Sequence, residues 1–293
     1  MEKLIYGDFE KKYTQFSTAK IVLLPVAYDG TSTYVKGADK GPSALLKASP
    51  NMEFYDIQTK TEVYKQGIYT EDIMQGFTTP EQMVETVEKK VTELIEKGKF
   101  VALIGGEHSV SIGSIYAHAK KYKDISVIQL DAHSDLRDDY HGSKNNHACV
   151  MKRAKEVANI VQVGIRSTDT SELKNVNEKT TFYAKDIYNN KKWMKKAILK
   201  LKKKVYLTID LDVFDPSLFP STGTPEPGGL FWYDVVEFMY ELFKNREVVG
   251  LDLVELCPSE QNKSSDFIAS KLLYTLLTYK FYFEKKSKKV WII

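Results

Sequence analysis

The chain has 293 residues, 43% of them apolar, and a net charge of +3 at pH 7. That length and apolar share exclude global disorder and suffice for one large α/β domain or two small ones. The weak positive charge is nearly all scattered lysine, which excludes the focused basic stripe of a nucleic-acid binder; the one basic run, Lys285-Lys286-Ser287-Lys288-Lys289, reads as a fraying terminus.

In chain order, the first apolar run, 21–24, predicts a buried strand. Gly41-Pro42-Ser43 then opens a short helix. Thr79-Pro80-Glu81-Gln82 has the form of a capping box with proline at the first helical position, and the helix it starts runs to Gly98, a glycine suited to a C-cap. From there strands and helices alternate. Strands are predicted at 101–104, 126–130, 160–163, 205–209 and 248–251, with helices starting near Ser109, His147, Lys191, Tyr233 and Ser264. The strand runs are continuous and β-branched rather than alternating, as in a parallel sheet covered on both faces. With no repeat, low-complexity block or linker in sight, the pattern predicts one α/β domain over 1–293, with a short N-terminal segment and a Lys-rich C-terminal tail.

Two cysteines, Cys149 and Cys257, make no disulfide framework, and Cys149 reads as a small buried residue, not a nucleophile. Met1-Glu2-Lys3-Leu4 has no apolar signal core, and no run approaches the ~18–20 apolar residues of a membrane span. A cytoplasmic protein is expected.

In sheets of this type ligands bind outside the carboxyl ends of the strands. Four predicted strands end in acidic residues. After 101–104 comes Gly105-Gly106-Glu107-His108-Ser109; after 126–130, Asp131-Ala132-His133-Ser134-Asp135; after 205–209, Asp210-Leu211-Asp212; after 248–251, Asp252 and then Glu255. Residues two apart in extended chain point the same way, so Asp131, His133 and Asp135 can converge, as can Asp210 and Asp212. Clustered carboxylates repel one another and resist desolvation. Two divalent ions would remove both problems, and the oxygen-rich mixture of carboxylate and imidazole leans toward Mn²⁺. Taken singly, each motif could be a turn or a helix cap. Together, each at a strand end, they point to a metal site.

These segments resemble the ureohydrolases, meaning arginase, agmatinase and relatives. The resemblance rests on Gly105-Gly106-Glu107-His108-Ser109, Asp131-Ala132-His133-Ser134-Asp135, and Asp210-Leu211-Asp212-Val213-Phe214-Asp215-Pro216 followed by Gly223-Thr224-Pro225-Glu226-Pro227-Gly228-Gly229. Order and spacing fit from about residue 20 to about residue 280. The resemblance implies a three-layer α/β/α, arginase-like fold with a mainly parallel sheet and two Mn²⁺ per subunit. It implies His108 and Asp135 as ligands of one metal, His133 and Asp212 of the other, and Asp131 and Asp210 as bridging carboxylates. It further implies His147 as the active-site histidine, Glu255 as the partner of the guanidinium, and a homo-oligomer, trimer or hexamer. Three departures touch the pocket and not the ligand set: Ser221 in place of a usual glycine, Asn146 before His147, and Ser259-Glu260-Gln261-Asn262 without the aspartate often seen there.

The expected chemistry is hydrolysis of a linear guanidino compound. Two ions sharing a water would lower its pKa toward neutrality. Asp135 would orient that nucleophile, Glu255 would pair with the planar cation, and His147 would shuttle a proton to the leaving amine. His118 reads as a surface or packing residue and His141 as a loop residue near the site. The segment Leu136-Arg137-Asp138-Asp139-Tyr140-His141-Gly142 is closer to microbial agmatinases, and paired acids at the mouth would suit a second cation. Agmatine, giving putrescine and urea as in polyamine biosynthesis, is therefore the expected substrate. Ser143 and Asn145 before His147 instead resemble arginases, which leaves arginine and guanidinobutyrate as alternatives, together with longer aminopropylated guanidines. A deacetylase of this fold would lack the complete two-metal set. A non-catalytic relative would have lost a bridging aspartate or Glu255. No nucleic-acid or membrane partner is expected.

Overall fold

The computed structural model describes the backbone of residues 3–290 and the side chains of residues 3–286. All six expected strands form, each longer by a residue or more than its apolar run: β1 (Ile21–Val26), β3 (Phe100–Gly105), β4 (Ile125–Leu130), β5 (Asn159–Ile165), β7 (Lys204–Asp210) and β8 (Glu247–Val254). Two further strands, β2 (Ile68–Thr70) and β6 (Thr181–Tyr183), carry too few residues to show a period and occupy the sheet edges. The eight strands make one parallel sheet in the order β2-β1-β3-β8-β7-β4-β5-β6.

Both faces are covered, which is why the strands are apolar throughout. One face packs on α2 (Pro80–Glu96), α3 (Val110–Lys121) and α4 (Val150–Val157), through residues such as Val87, Leu103, Ile115 and Val127. The other packs on α1 (Gly41–Ala48), α6 (Lys192–Leu199), α7 (Trp232–Asn245) and α8 (Ser264–Val290), through Leu45, Ile209, Phe238 and Leu273. A fully buried His118 fills the gap above Gly250 in the central strand β8 and tilts against Tyr206, with ring centroids 4.7 Å apart. A β-carbon at residue 250 would sit 2.0 Å from the His118 ring, so glycine there is a packing requirement.

Thr79 caps α2 as expected, its hydroxyl accepting the Gln82 N–H at 3.1 Å. The return bond differs: Gln82 Oε1 accepts from Thr78 N at 2.8 Å, not from Thr79. Gly98 ends that helix with φ +73°, as a C-cap glycine does. The lysine-rich run expected to fray is instead part of α8, whose backbone stays helical through Val290. Lysine is a good helix former, and cations at a helix C-terminus complement its dipole.

The order of strands places the chemistry. β3, β8, β7 and β4 are consecutive neighbours at the middle of the sheet. All run the same way, so the four acidic strand ends read from the sequence meet along one edge. The chain crosses from one half of the sheet to the other between β3 and β4, and such a switch point opens a crevice at the carboxyl ends.

Candidate active site

Each segment leaving the central strands is bent by a local device that turns its side chains inward. After β3, Gly106 passes so close to Tyr28 that a β-carbon would lie 2.0 Å from its carbonyl oxygen. That approach lets Gly106 N donate to Val26 O and Glu107 N to Tyr28 O, and it delivers His108 to the edge. After β4, Asp131 Oδ1 accepts the His133 N–H at 2.5 Å, while Asp135 turns the chain with φ +53°. After β7, Asp210 Oδ1 accepts the Asp212 N–H at 2.8 Å. After β8, Glu255 has φ +66° and donates its N–H to Gly106 O at 2.8 Å. Two non-glycine residues in the left-handed region, both at the site, are held there by surrounding structure at a conformational cost.

The six residues singled out as ligands converge. His108 Nδ1 lies 3.1 Å from Asp131 Oδ2, 3.0 Å from Asp135 Oδ2 and 3.3 Å from Asp210 Oδ2. His133 Nδ1 lies 2.8 Å from Asp212 Oδ2 and 3.7 Å from Asp131 Oδ1. Two groups could each hold an ion, His108–Asp131–Asp135 and Asp131–His133–Asp212, with Asp131 common to both. Asp210 stands against the first.

The donor set fits a pair of divalent cations on two grounds. The far nitrogen of His108, Nε2, lies 2.9 Å from Thr208 Oγ1, whose hydroxyl proton goes to Asp252 Oδ1 at 2.6 Å. Thr208 can then only accept from Nε2–H, so in the neutral ring Nδ1 is a lone pair. That buried atom has no hydrogen-bond partner, although three carboxylate oxygens surround it. A lone pair facing three anions calls for a cation between them. Charge gives the second ground. With protons alone to relieve the repulsion, burial and the neighbouring Asp131 charge push Asp135 up to about 7. Burial and Asp212 push Asp210 well above the carboxylate range. Burial lowers His133, but Asp212 and Asp131 outweigh it and raise the ring to about 12. Two M²⁺ ions would balance the four aspartates without any proton.

The cavity over this cluster is lined by His147 and Glu255 as well as by His108, His133, Asp135, Asp210 and Asp212. Glu255 Oε1 accepts the His108 N–H at 2.7 Å, so its other oxygen is left for a ligand. Gly223, 3.6 Å from Oε2 at its β-position, keeps the space beside that oxygen open. Burial and the charge of Glu107 hold Glu255 well above the usual carboxylate range. His147 does not cap the helix it precedes, because Asn146 Oδ1 takes the Ala148 N–H at 3.1 Å. Burial lowers its pKa to about 4.

The outer wall departs from the sequence reading. Asp138 is bound by Lys174 at 2.6 Å and Lys152 at 2.9 Å, Asp139 is exposed, and neither lines the cavity. Ser143 and Asn145 also lie outside it: both side chains turn to Glu81 at the start of α2, at 2.7 and 3.5 Å. His141 is exposed and rests on Tyr140. The wall is made instead by Thr33, Arg137, Tyr140, Thr224 and the segment Ser167–Asp169 with Glu172. That segment follows β5, and its polar run Arg166-Ser167-Thr168-Asp169, directly after an apolar strand, is the sequence signal that marks it. Thr208, two residues before Asp210 in β7, is hidden inside an apolar run. Cys149 is buried as expected, and burial pushes its thiol up to about 12.

A single parallel sheet with acidic and imidazole side chains gathered at its switch point defines a metal-dependent hydrolase of the α/β class. The arginase family model matches residues 19–278. The N(1)-aminopropylagmatine ureohydrolase of Synechocystis sp. is 38% identical over 91% of this chain and 90% of its own length. The agmatinase of Pyrococcus horikoshii is 32% identical over 92% and 95%. The crystal structure of the agmatine ureohydrolase of Thermoplasma volcanium superposes with a TM-score of 0.86 at 29% identity, covering 98% of this chain and 96% of that one. The chain belongs to the arginase family. It is a ureohydrolase, an enzyme of a family that depends on a metal pair and acts on agmatine-like guanidino compounds.

Proposed function

We propose that this enzyme hydrolyses agmatine to putrescine and urea. The observation that carries the reading is the charge of the outer wall. Asp169 stands there with 42% of its side chain exposed, while Ser143 and Asn145, the groups that could have held a substrate carboxylate, face Glu81. Arg137, the guanidinium on that wall, is stacked 4.6 Å over Tyr140 and lies 3.5 Å from Asp169. Asp169 Oδ1 is held by Ser171, so an aminated tail would meet Oδ2 in competition with Arg137, whereas a carboxylated tail would bring a second anion to that one guanidinium. A second reading, N1-aminopropylagmatine, is favoured by the name of the Synechocystis relative and by the same cationic tail chemistry.

The proposed ligands are His108, Asp131, His133, Asp135, Asp210 and Asp212, and the excess of oxygen donors suits Mn²⁺. When bound, the ions would supply an activated water and neutralise the aspartates. Glu255 Oε2 pairs with guanidinium N–H groups and lays the planar cation over the cluster. Asp135 orients the attacking water through its side chain. His147 takes up a proton at its cavity-facing nitrogen and gives it to the departing amine, since an amine leaves only when protonated.

Urea release is to be measured with agmatine, N1-aminopropylagmatine, arginine and guanidinobutyrate. One of the two amine-tailed compounds should exceed arginine in kcat/KM by about a hundredfold, the equivalent of about 3 kcal/mol for a desolvated, unpaired carboxylate. Asp169→Asn should narrow that gap. A preference for arginine in the unaltered enzyme would overturn the reading.

A further inference from the structure

We infer that Thr31 is a positioning residue that sets the tautomer of His147, with Glu107 holding the Thr31 hydroxyl in place. The inference rests on His147 being the proton shuttle.

Three polar groups converge on Thr31 Oγ1. The backbone N–H of His147 donates to it at 3.0 Å, His147 Nδ1 lies 3.2 Å away, and Glu107 Oε2 lies 2.9 Å away. A hydroxyl has one proton and two lone pairs. The His147 N–H takes one lone pair, so the proton and the other lone pair are divided between Nδ1 and Glu107. Glu107 is fully buried and already accepts from Ser109: Oγ at 2.6 Å on Oε1 and N at 3.1 Å on Oε2. The Thr31 hydroxyl donates to Glu107 Oε2, and the ionised carboxylate, having no proton to give, can only accept it. Thr31 then has only a lone pair for the ring, and His147 must hold its proton on Nδ1. Nε2 is thereby left as the bare base in the cavity, the form able to pick up a proton before delivering it.

The loop that carries Thr31 is itself braced. Asp29 Oδ2 accepts the Gly37 N–H at 2.6 Å, and Asp29 Oδ1 accepts from the Ser32 hydroxyl. The edge of the Tyr140 ring meets the imidazole, with centroids 5.9 Å apart. The imidazole is therefore fixed through one hydroxyl reaching across 116 positions of sequence.

The test uses the metal-loaded enzyme and whichever of agmatine or N1-aminopropylagmatine is turned over faster. Thr31→Val, which keeps the shape and removes the hydroxyl, should lower kcat by about tenfold or more, in the range of a misoriented acid–base group. KM should change less than threefold and metal content not at all. Thr31→Ser should restore kcat to within a fewfold of the unaltered enzyme. ¹⁵N-labelled histidine in Zn²⁺-loaded protein, with the His147 signals identified by their loss in His147→Ala, should show an Nδ1–H tautomer, and Thr31→Val should mix it with the Nε2–H form. An Nε2–H tautomer in the unaltered protein overturns the inference without recourse to any variant that fails to fold. So does a kcat unchanged by Thr31→Val, or one that Thr31→Ser does not restore, while His147→Ala lowers kcat by about a hundredfold or more. If His147→Ala itself keeps full turnover, it is the shuttle reading that fails.

Discussion

His147 is the side chain proposed to carry the proton. It is half-buried on the cavity wall and bonded to Thr31, and it does not bridge to any of the six aspartates and histidines proposed as ligands. His147→Ala is expected to lower kcat by roughly 10²–10⁴ while two ions per chain are retained, as measured by steady-state urea release and elemental analysis of the same preparation. Loss of an ion with the activity would move this histidine from shuttle to ligand. His147 and Glu255 were both legible as candidates because their motifs are local. Their settings were not. The Nε2 of His108 is held by Thr208 and Asp252, and the Nδ1 of His147 by Thr31, all partners remote in sequence. The same distance explains why Asp138 was misplaced: its acidity was visible, but the two lysines that claim it come from α4 and from the turn around Lys174.

Among the elements, the segment between β4 and α4 has a structural task that the sequence reading assigned to substrate. Lys174 and Lys152 hold the Asp138 carboxyl below the usual carboxylate range. The folded protein therefore binds fewer protons at this group than the unfolded chain does, and its stabilisation grows with pH. It is complete above the ordinary carboxylate pKa of about 4 and disappears as pH falls through the lowered folded value. Asp138→Asn should lower Tm at pH 7, with the difference from the unaltered protein shrinking steadily below about pH 4. Its kcat/KM ratio for agmatine over arginine should stay within about twofold; a large change in that ratio would return Asp138 to the substrate site. The helices and strands themselves were readable wherever a period or cap was long enough to register. β2 and β6, three residues each, were not, because edge strands owe their existence to the neighbour they pair with.

For the whole molecule, the cluster at the sheet edge couples metal to stability. Four strands converge there, and the folded chain presents a ligand set that the unfolded chain lacks. Ions that bind only the folded state should stabilise it by about 2.7 kcal/mol per site at a hundredfold excess over Kd. Chelation should lower Tm by several degrees, and Mn²⁺ should restore it, with titration calorimetry giving two ions per chain. One ion, or no shift in Tm, would contradict the paired site. Binding should tighten as pH rises, because imidazole ligands must be neutral and carboxylates ionised.

By itself the sequence determined the class of fold, the acidic and histidine residues that converge at the sheet edge, and the family, because each depends on short-range pattern: continuous apolar strands, and carboxylates and histidines at fixed small spacings just beyond them. The tertiary structure alone decided which of the remaining polar residues face the cavity. Asp138, Asp139, Ser143 and Asn145 have the right chemistry and the right neighbourhood in sequence, yet lysines or Glu81 claim all but the exposed Asp139. Asp169 and Thr31 stand at the site because β5 lies beside β4 and β1 beside β3. Strand order is set by how whole faces bury against helices, a sum over the entire chain, and no local spacing records it.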